Sequence, residues 1–216
     1  MPENGTGLDR PHVFLPGLAD DSPVLIALHE TGGSEVRFAD FARSLHPEAA
    51  VLSPRGLVLE GPHLRWFRRL SEGVFDVDDV EEQADRLAEF VSMALDAYGL
   101  IGRPVIAAGF SNGANIGLAL AMRHPTLLRA VVAFSGMYPF ADRSVRVPLK
   151  SLSVLLLNAD ADAMAPPESV SRLEQQLIGN GAHVSRLGRL GGHGILASEI
   201  GDARVWLSSL AAGSIH

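Results

Sequence analysis

The sequence predicts an α/β fold, a mostly parallel sheet with helices on both faces, formed by one domain over residues 1–216. Three observations carry this. The strand-length apolar runs are apolar throughout rather than alternating, as in strands buried on both sides. Each gives way to a stretch of helical periodicity, the alternation that builds a parallel sheet. The composition, 47% hydrophobic and 20% charged over 216 residues, suits one sizeable core, with no repeat, low-complexity tract or linker.

The elements follow in order. His12–Leu15 is a candidate antiparallel edge strand, and Val24–His29 is an apolar run of strand length. The turn "ETGG" comes next, then a helical pattern through Phe38, Phe41 and Leu45 that Pro47 ends. Ala50–Leu52 is a short strand closed by Pro54, and residues 55–77 read as a long irregular segment. The clearest amphipathic helix is "DVDDVEEQADRLAEFVSMALDAYG" (76–99). It opens on acidic residues, which favour a helix N-terminus, repeats apolar positions at Val80, Ala84, Leu87, Val91, Leu95 and Tyr98, and stops at Gly99. Pro104–Phe110 is the next strand and Asn112–Met122 a helix rich in small residues. Leu128–Phe134 and Ser153–Leu157 are strands, Pro166–Ile178 a helix, His183–Leu190 a strand and Ile195–Leu210 a closing helix. Residues 135–150, between two of these strands, are too few for a large lid domain.

A net charge of −7 and a pI near 5.6 argue against nucleic acid and anionic membranes as partners. No apolar run approaches the roughly 18 residues of a membrane helix, and "MPENGTGLDRPHVFLPG" lacks the basic start and apolar core of a secretory signal. The absence of cysteine removes disulfides, zinc–thiolate sites and cysteine nucleophiles together. A cytoplasmic location is the expectation.

In such sheets chemistry collects where strands end in loops. Three of these points carry reactive residues in the order Ser111, then Asp160 or Asp162, then His193. "GFSNG" is Gly-x-Ser-x-Gly between a strand and a helix, the context of a nucleophile elbow. A serine on so sharp a turn is driven into strained backbone angles, and the crowded bend admits only small residues at Gly109 and Gly113. The same turn aims the backbone N–H of Asn112 at the reacting atom, where it suits a developing oxyanion.

His193, in "LGGHGI", is placed to act as general base from a loop that its flanking glycines let come close; the other seven histidines mostly look like loop, cap or surface residues. In "LLLNADADAMAPPE" Asp162 lies further into the loop and is the better candidate to orient the imidazole, with Asp160 a turn brace. "LHETGG" ends the first parallel strand, where this architecture draws its second oxyanion donor; the Thr31 N–H is the candidate. His29-Glu30 also resembles the start of a zinc-protease HExxH motif. Gly33 stands where the second histidine belongs and the stretch is a turn, so a metal site is not expected.

Taken together these residues resemble the α/β-hydrolase superfamily and, more narrowly, its bacterial phospholipase/carboxylesterase family, relatives of acyl-protein thioesterases and dienelactone hydrolases. The likeness runs over residues 20–210 and includes "LSPRG" (52–56), "RWFRR" (65–69), "EGVFD" (72–76), "GFSNGANIG" (109–117) and "GGH" (191–193). It implies an α/β-hydrolase fold without a large lid domain. It also implies a serine carboxylesterase with Ser111, Asp162 and His193 as catalytic residues and Thr31 and Asn112 as oxyanion donors. No metal or organic cofactor is implied. The expected partner is a small-molecule ester, with a homodimer left open. Two departures stand out: Glu30 replaces the family's usual glycine after the histidine of the first loop, and "ADADA" (159–163) replaces G-x-x-D-P.

Substrate choice is expected to fall to residues 55–77. Trp66 and Phe67 either line the pocket or anchor the loop to the core. Arg55, Arg65, Arg68 and Arg69 either meet an anionic substrate or pair with Glu60, Glu72 and Asp76 nearby, the second being favoured. Glu30 is expected to turn away from Ser111 and brace its loop through a backbone N–H or an arginine. Rival readings are a thioesterase or lysophospholipase for longer acyl chains and a non-catalytic binding protein on the same scaffold.

Overall fold

The computed structural model describes residues 8–211. Its spine is a seven-stranded sheet. In chain order its strands are β1 (His12–Leu15), β2 (Val24–Leu28), β3 (Ala50–Pro54), β8 (Val105–Phe110), β9 (Ala130–Phe134), β10 (Ser153–Ala159) and β11 (His183–Arg189). They lie side by side as β1-β3-β2-β8-β9-β10-β11. Only β1 runs antiparallel, pairing His12 with Pro54 and Leu15 with Val51, so the expected edge strand is present. The remaining neighbours are parallel; β2, β3, β9 and β10 are buried along their whole length, and β8 up to its last residue, Phe110, which is partly exposed.

Alternation along the strands feeds two cores. Val24, Ile26 and Leu28 of β2 face one, which helices α2 (Val77–Ala97), α3 (Asn112–Arg123) and α4 (Pro167–Gly179) cover. Leu25 and Ala27 face the other, beneath α1 (Glu35–Leu45) and α5 (Ala197–Ala211). One-residue alternation with apolar residues on both sides is what a strand between two helical layers requires.

The order of strands also locates the functional crevice. From β2 the chain moves outward to β3, then returns to place β8 on the opposite side of β2. Loops leaving β2 and β8 therefore part in opposite directions and open a crevice at their carboxyl ends. Thr31 follows β2 and Ser111 follows β8.

Residues 55–77 are more ordered than their lack of periodicity suggests. They form two small antiparallel hairpins, β4 (Val58–Glu60) with β5 (His63–Arg65) and β6 (Arg69–Ser71) with β7 (Val74–Phe75). Strands of two or three residues fall below the length at which an alternating pattern is readable. The closing helix begins at Ala197, leaving Ile195 and Leu196 in the preceding loop. Among the described residues no helix is long and apolar enough to cross a membrane.

Candidate active site

The turn from β8 into α3 explains both glycines of "GFSNG". Ser111 has φ 53° and ψ −116°, outside the space an L-residue occupies without strain. A Cβ on Gly109 would lie 2.5 Å from the carbonyl of Gly113, and one on Gly113 would lie 1.9 Å from the Leu28 carbonyl oxygen. Any side chain at either position drives backbone into backbone. The strain at Ser111 is held by bonds on both sides, since its N–H donates to Phe134 O at 2.9 Å and its carbonyl accepts from Asn115 N at 3.0 Å.

His193 and Asp162 come together from the two loops beyond β11 and β10. Nδ1 of His193 lies 2.8 Å from Oδ2 and 3.0 Å from Oδ1 of Asp162, whose side chain is fully buried. The carboxylate also accepts the N–H groups of Met164 and Ala165. Burial is the largest single influence on the Asp162 carboxyl and pushes its pKa up. The hydrogen bond and charge of His193, with those two amides, outweigh it and leave the group below its ordinary value. An ionised Asp162 fixes Nδ1 of His193 as a donor and leaves Nε2 to accept a proton. The imidazole stacks on Phe110, the residue before Ser111, with ring centroids 5.0 Å apart.

Asp160 does what a brace does: its Oδ1 accepts the Gly191 N–H at 3.0 Å, two residues before His193. Arg189 has no signal in the sequence yet frames the same loop. It pairs with buried Glu199 and donates to the carbonyls of Gly192 and Gly194 on either side of His193.

Thr31, Ser111 and Asn112 line one small cavity together with Arg65, Arg69, Phe75 and others. Neither the Thr31 N–H nor the Asn112 N–H has an acceptor among the described residues. Two unspent donors beside a strained serine are what a developing oxyanion requires. The turn holding Thr31 is pinned from several directions. Gly32 N donates to Leu64 O, and Gly33 N donates to Glu30 O. Arg65, almost wholly buried, donates from Nη1 to Thr31 Oγ1 at 3.0 Å and pairs with Glu60.

His29 departs from its expected role as a loop, cap or surface residue. It is fully buried, its Nδ1 lies 2.7 Å from Glu30 O and its Nε2 accepts the Gly56 N–H at 3.0 Å. Burial pushes its pKa down, consistent with a neutral ring protonated on Nδ1 that clamps the first loop to the segment after β3.

The likeness of this chain to known proteins extends over most of its length. The profile of the phospholipase/carboxylesterase family matches residues 15–210. The chain belongs to the phospholipase/carboxylesterase family. It is 34% identical over 196 residues to MhqD of Bacillus subtilis (strain 168), named simply as a hydrolase, a match covering 90% of this chain and 96% of that protein. It superposes on the Bacillus cereus carboxylesterase with a TM-score of 0.89 at 32% identity, covering 94% and 96% of the two chains. It also superposes on YahD, solved with malic acid, at 0.85 and 29% identity over 93% and 98%.

Against the family pattern Glu30 is half-buried, and its carboxylate lies over Gly33, with Oε2 where a Cβ on that glycine would come within 2.7 Å. It lines a cavity separate from the one containing Ser111, so it does turn away. The expected backbone or arginine partner for the carboxylate is not found among the described residues; the turn is held instead by the Glu30 carbonyl and Gly33 N–H.

Of the two roles expected of Trp66 and Phe67, anchoring the loop to the core is the one observed, and their tentative place in the pocket lining is corrected. They are 1% and 0% exposed and belong to the core under α2 and α3. Trp66 donates its indole N–H to His29 O and its backbone N–H to Asn112 Oδ1. None of the segment's other apolar side chains is fully buried, and Leu57, Leu59, Leu70 and Val74 are exposed, so these two aromatics are its main means of docking. Their charged neighbours Arg65 and Arg69 reach the cavity instead. Both are internally paired, Arg69 with Glu60 and Glu72, while Arg68 pairs with Asp76 and Arg55 with Glu35.

Proposed function

We propose that this hydrolase is a serine carboxylesterase acting on small carboxylic esters through an acyl-enzyme. Ser111 Oγ attacks the ester carbonyl as His193 Nε2 takes its proton. Asp162 holds the imidazole in orientation and stabilises its charged form, and the Thr31 and Asn112 N–H groups hold the oxyanion. His193 then gives its proton to the departing alcohol. Water attacks the acyl-enzyme by the same route and releases the acid.

The observation that carries this reading is the buried Asp162 bonded to His193 Nδ1, with that imidazole stacked on the residue before the strained Ser111. Support for a short acyl group comes from the narrow cavity at Ser111, about 20 Å³, room for roughly one water. A neighbouring cavity of about 240 Å³, sharing Gly73 and Phe75 with it, gives a short chain somewhere to extend.

The test is a fluorophosphonate label with a panel of p-nitrophenyl esters of rising acyl length. The reading expects a covalent adduct at Ser111 and best turnover at roughly two to six acyl carbons, as a site this narrow favours. Ser111→Ala and His193→Ala should each lower kcat on the order of 10⁴-fold, and the double variant little further, because the residues act as a unit. Absence of an adduct would favour a binding protein, and preference for palmitoyl substrates the thioesterase reading.

A further inference from the structure

A third cavity, of about 310 Å³, borders the site on the α1 and α5 side of the sheet. Phe38, Phe41, Phe110, Ile195 and Ile200 supply apolar wall, and Glu30 and Arg37 add one charge of each sign. Three of these residues adjoin groups already placed in the site. Glu30 precedes Thr31, Phe110 precedes Ser111 and stacks on His193, and Ile195 follows His193 by two. The remaining wall comes from α1 and α5, which carry none of the proposed catalytic groups. We infer that this cavity receives the alcohol portion of the ester, and that it selects neutral, apolar alcohols of benzyl size.

The inference rests on the serine-esterase reading, and the chemistry of that reading assigns the cavity. In the tetrahedral intermediate the former carbonyl oxygen points to the Thr31 and Asn112 N–H groups. When the intermediate collapses, the bond from carbon to the alcohol oxygen breaks and His193 gives its proton to that oxygen. The alcohol oxygen must therefore lie within hydrogen-bond reach of the imidazole. Whatever it carries extends past the wall next to His193, where Phe110 stacks on the ring, into the cavity that Phe110 and Ile195 line. The acyl group takes the other direction, toward Phe75 and Met164 in the cavity that Ser111 itself lines. The wall charges sum to zero, so selection falls to the aromatic and branched side chains, which favour an apolar group of matching size.

Leaving-group and acyl subsites are separable because deacylation no longer contains the alcohol. With one acyl group throughout, the alcohol affects kcat/KM through acylation, while the deacylation rate is common to every ester. The experiment therefore compares benzyl acetate with ethyl acetate, both esters of alkyl alcohols, for the native enzyme and for Ile200→Trp, which fills the cavity. Benzyl acetate should have a kcat/KM about tenfold or more above ethyl acetate, within the range one apolar pocket provides. Ile200→Trp should cut that ratio by about the same factor. For ethyl phenylacetate, where the ring is moved to the acyl side, it should lower kcat/KM no more than for ethyl acetate.

A ratio untouched by Ile200→Trp, or a loss confined to the acyl-side ring, would overturn the assignment. If Ile200→Trp does not fold, benzyl alcohol added to native enzyme turning over ethyl acetate decides the question. Capture of the acetyl-enzyme as benzyl acetate, at a lower alcohol concentration than ethanol or propanol needs for the same exchange, supports the subsite, and equal capture refutes it. Loss of all ester turnover and of the fluorophosphonate adduct would instead refute the serine-esterase reading, so the two failures are distinct.

Discussion

Replacing Gly113 by alanine should damage stability and activity together, and Gly117→Ala is its control. Both glycines lie in α3 and face β2, and both gain up to about 1 kcal/mol of helix propensity on becoming alanine. They differ in what the new methyl meets. At Gly117 it would lie 3.0 Å from Leu28 Cδ1, the end of a side chain that can turn aside. At Gly113 it would lie 1.9 Å from Leu28 O, 2.5 Å from Leu28 C and 2.6 Å from His29 O. Reaching even a 3.0 Å contact with Leu28 O needs a shift of 3.0 − 1.9 = 1.1 Å between two backbones. Overpacking of that kind costs about 1–3 kcal/mol or more, which exceeds the propensity gain. The displaced strand end leads through His29 and Glu30 to Thr31, and a misplacement of about 1 Å in a reacting constellation costs on the order of 10²-fold in rate. Urea titrations with p-nitrophenyl acetate kinetics on the folded fraction measure both effects. Gly117→Ala should stay within about 1 kcal/mol and tenfold of the native enzyme. Were Gly113→Ala to behave like Gly117→Ala in both assays, the close packing of α3 on the end of β2 would not be what requires glycine there.

Asp162→Asn should lower kcat on the order of 10³- to 10⁴-fold, because an amide no longer fixes the imidazole tautomer. Asp160→Asn keeps an acceptor for Gly191 N–H and should cost less than about tenfold; the reverse order in steady-state kinetics would exchange their roles. Acid stability provides a further check. The Arg55 hydrogen bond holds Glu35 below its ordinary value, and Asp162 is likewise depressed. Their folded pKa values lie below the unfolded ones, so their contribution is complete above the ordinary carboxylate range near 4 and is lost as pH falls through the depressed values. Thermal melts from pH 7 to pH 3 should show a shallower acid limb for Glu35→Gln than for the native chain; equal limbs would refute the linkage. Glu30→Gln, at a carboxylate with no bonded partner among the described residues, should change stability by no more than about 0.5 kcal/mol and activity by less than about tenfold. Collapse of activity in that variant would make Glu30 part of the chemistry.

The sheet was legible because its strands carry their own signal. The central strands are apolar runs of five to seven residues bounded by turns, and even the edge strand His12–Leu15 shows in the sequence. The elbow was legible because its two glycines answer a local requirement within five residues, and Asp162 because its depth in the loop separates it from Asp160. What escaped depends on distant partners. Nothing near His29 in the chain announces that Gly56 will cap its ring, and Arg189 gives no sign of embracing the His193 loop. Trp66 and Phe67 have no periodic neighbours to say which way they face, and β4–β7 are too short to alternate visibly. The cavity between α1 and α5 is assembled from five separate stretches and has no motif at all.

The bond from Arg65 to Thr31 makes the segment between β3 and α2 something other than an interchangeable cover. In the β2 loop of this chain, one threonine presents both a free amide to the crevice and a hydroxyl to a guanidinium borne by a hairpin some thirty positions later. A chimera that imports a relative's residues 55–76 without its first loop would leave a buried arginine facing the wrong neighbour, and the reverse exchange would leave Thr31 untethered. Recombination between members of this lineage is therefore expected to succeed only when the two stretches travel together. Breeding of new substrate preferences by loop shuffling should place its crossover points outside residues 29–76 rather than at either hairpin.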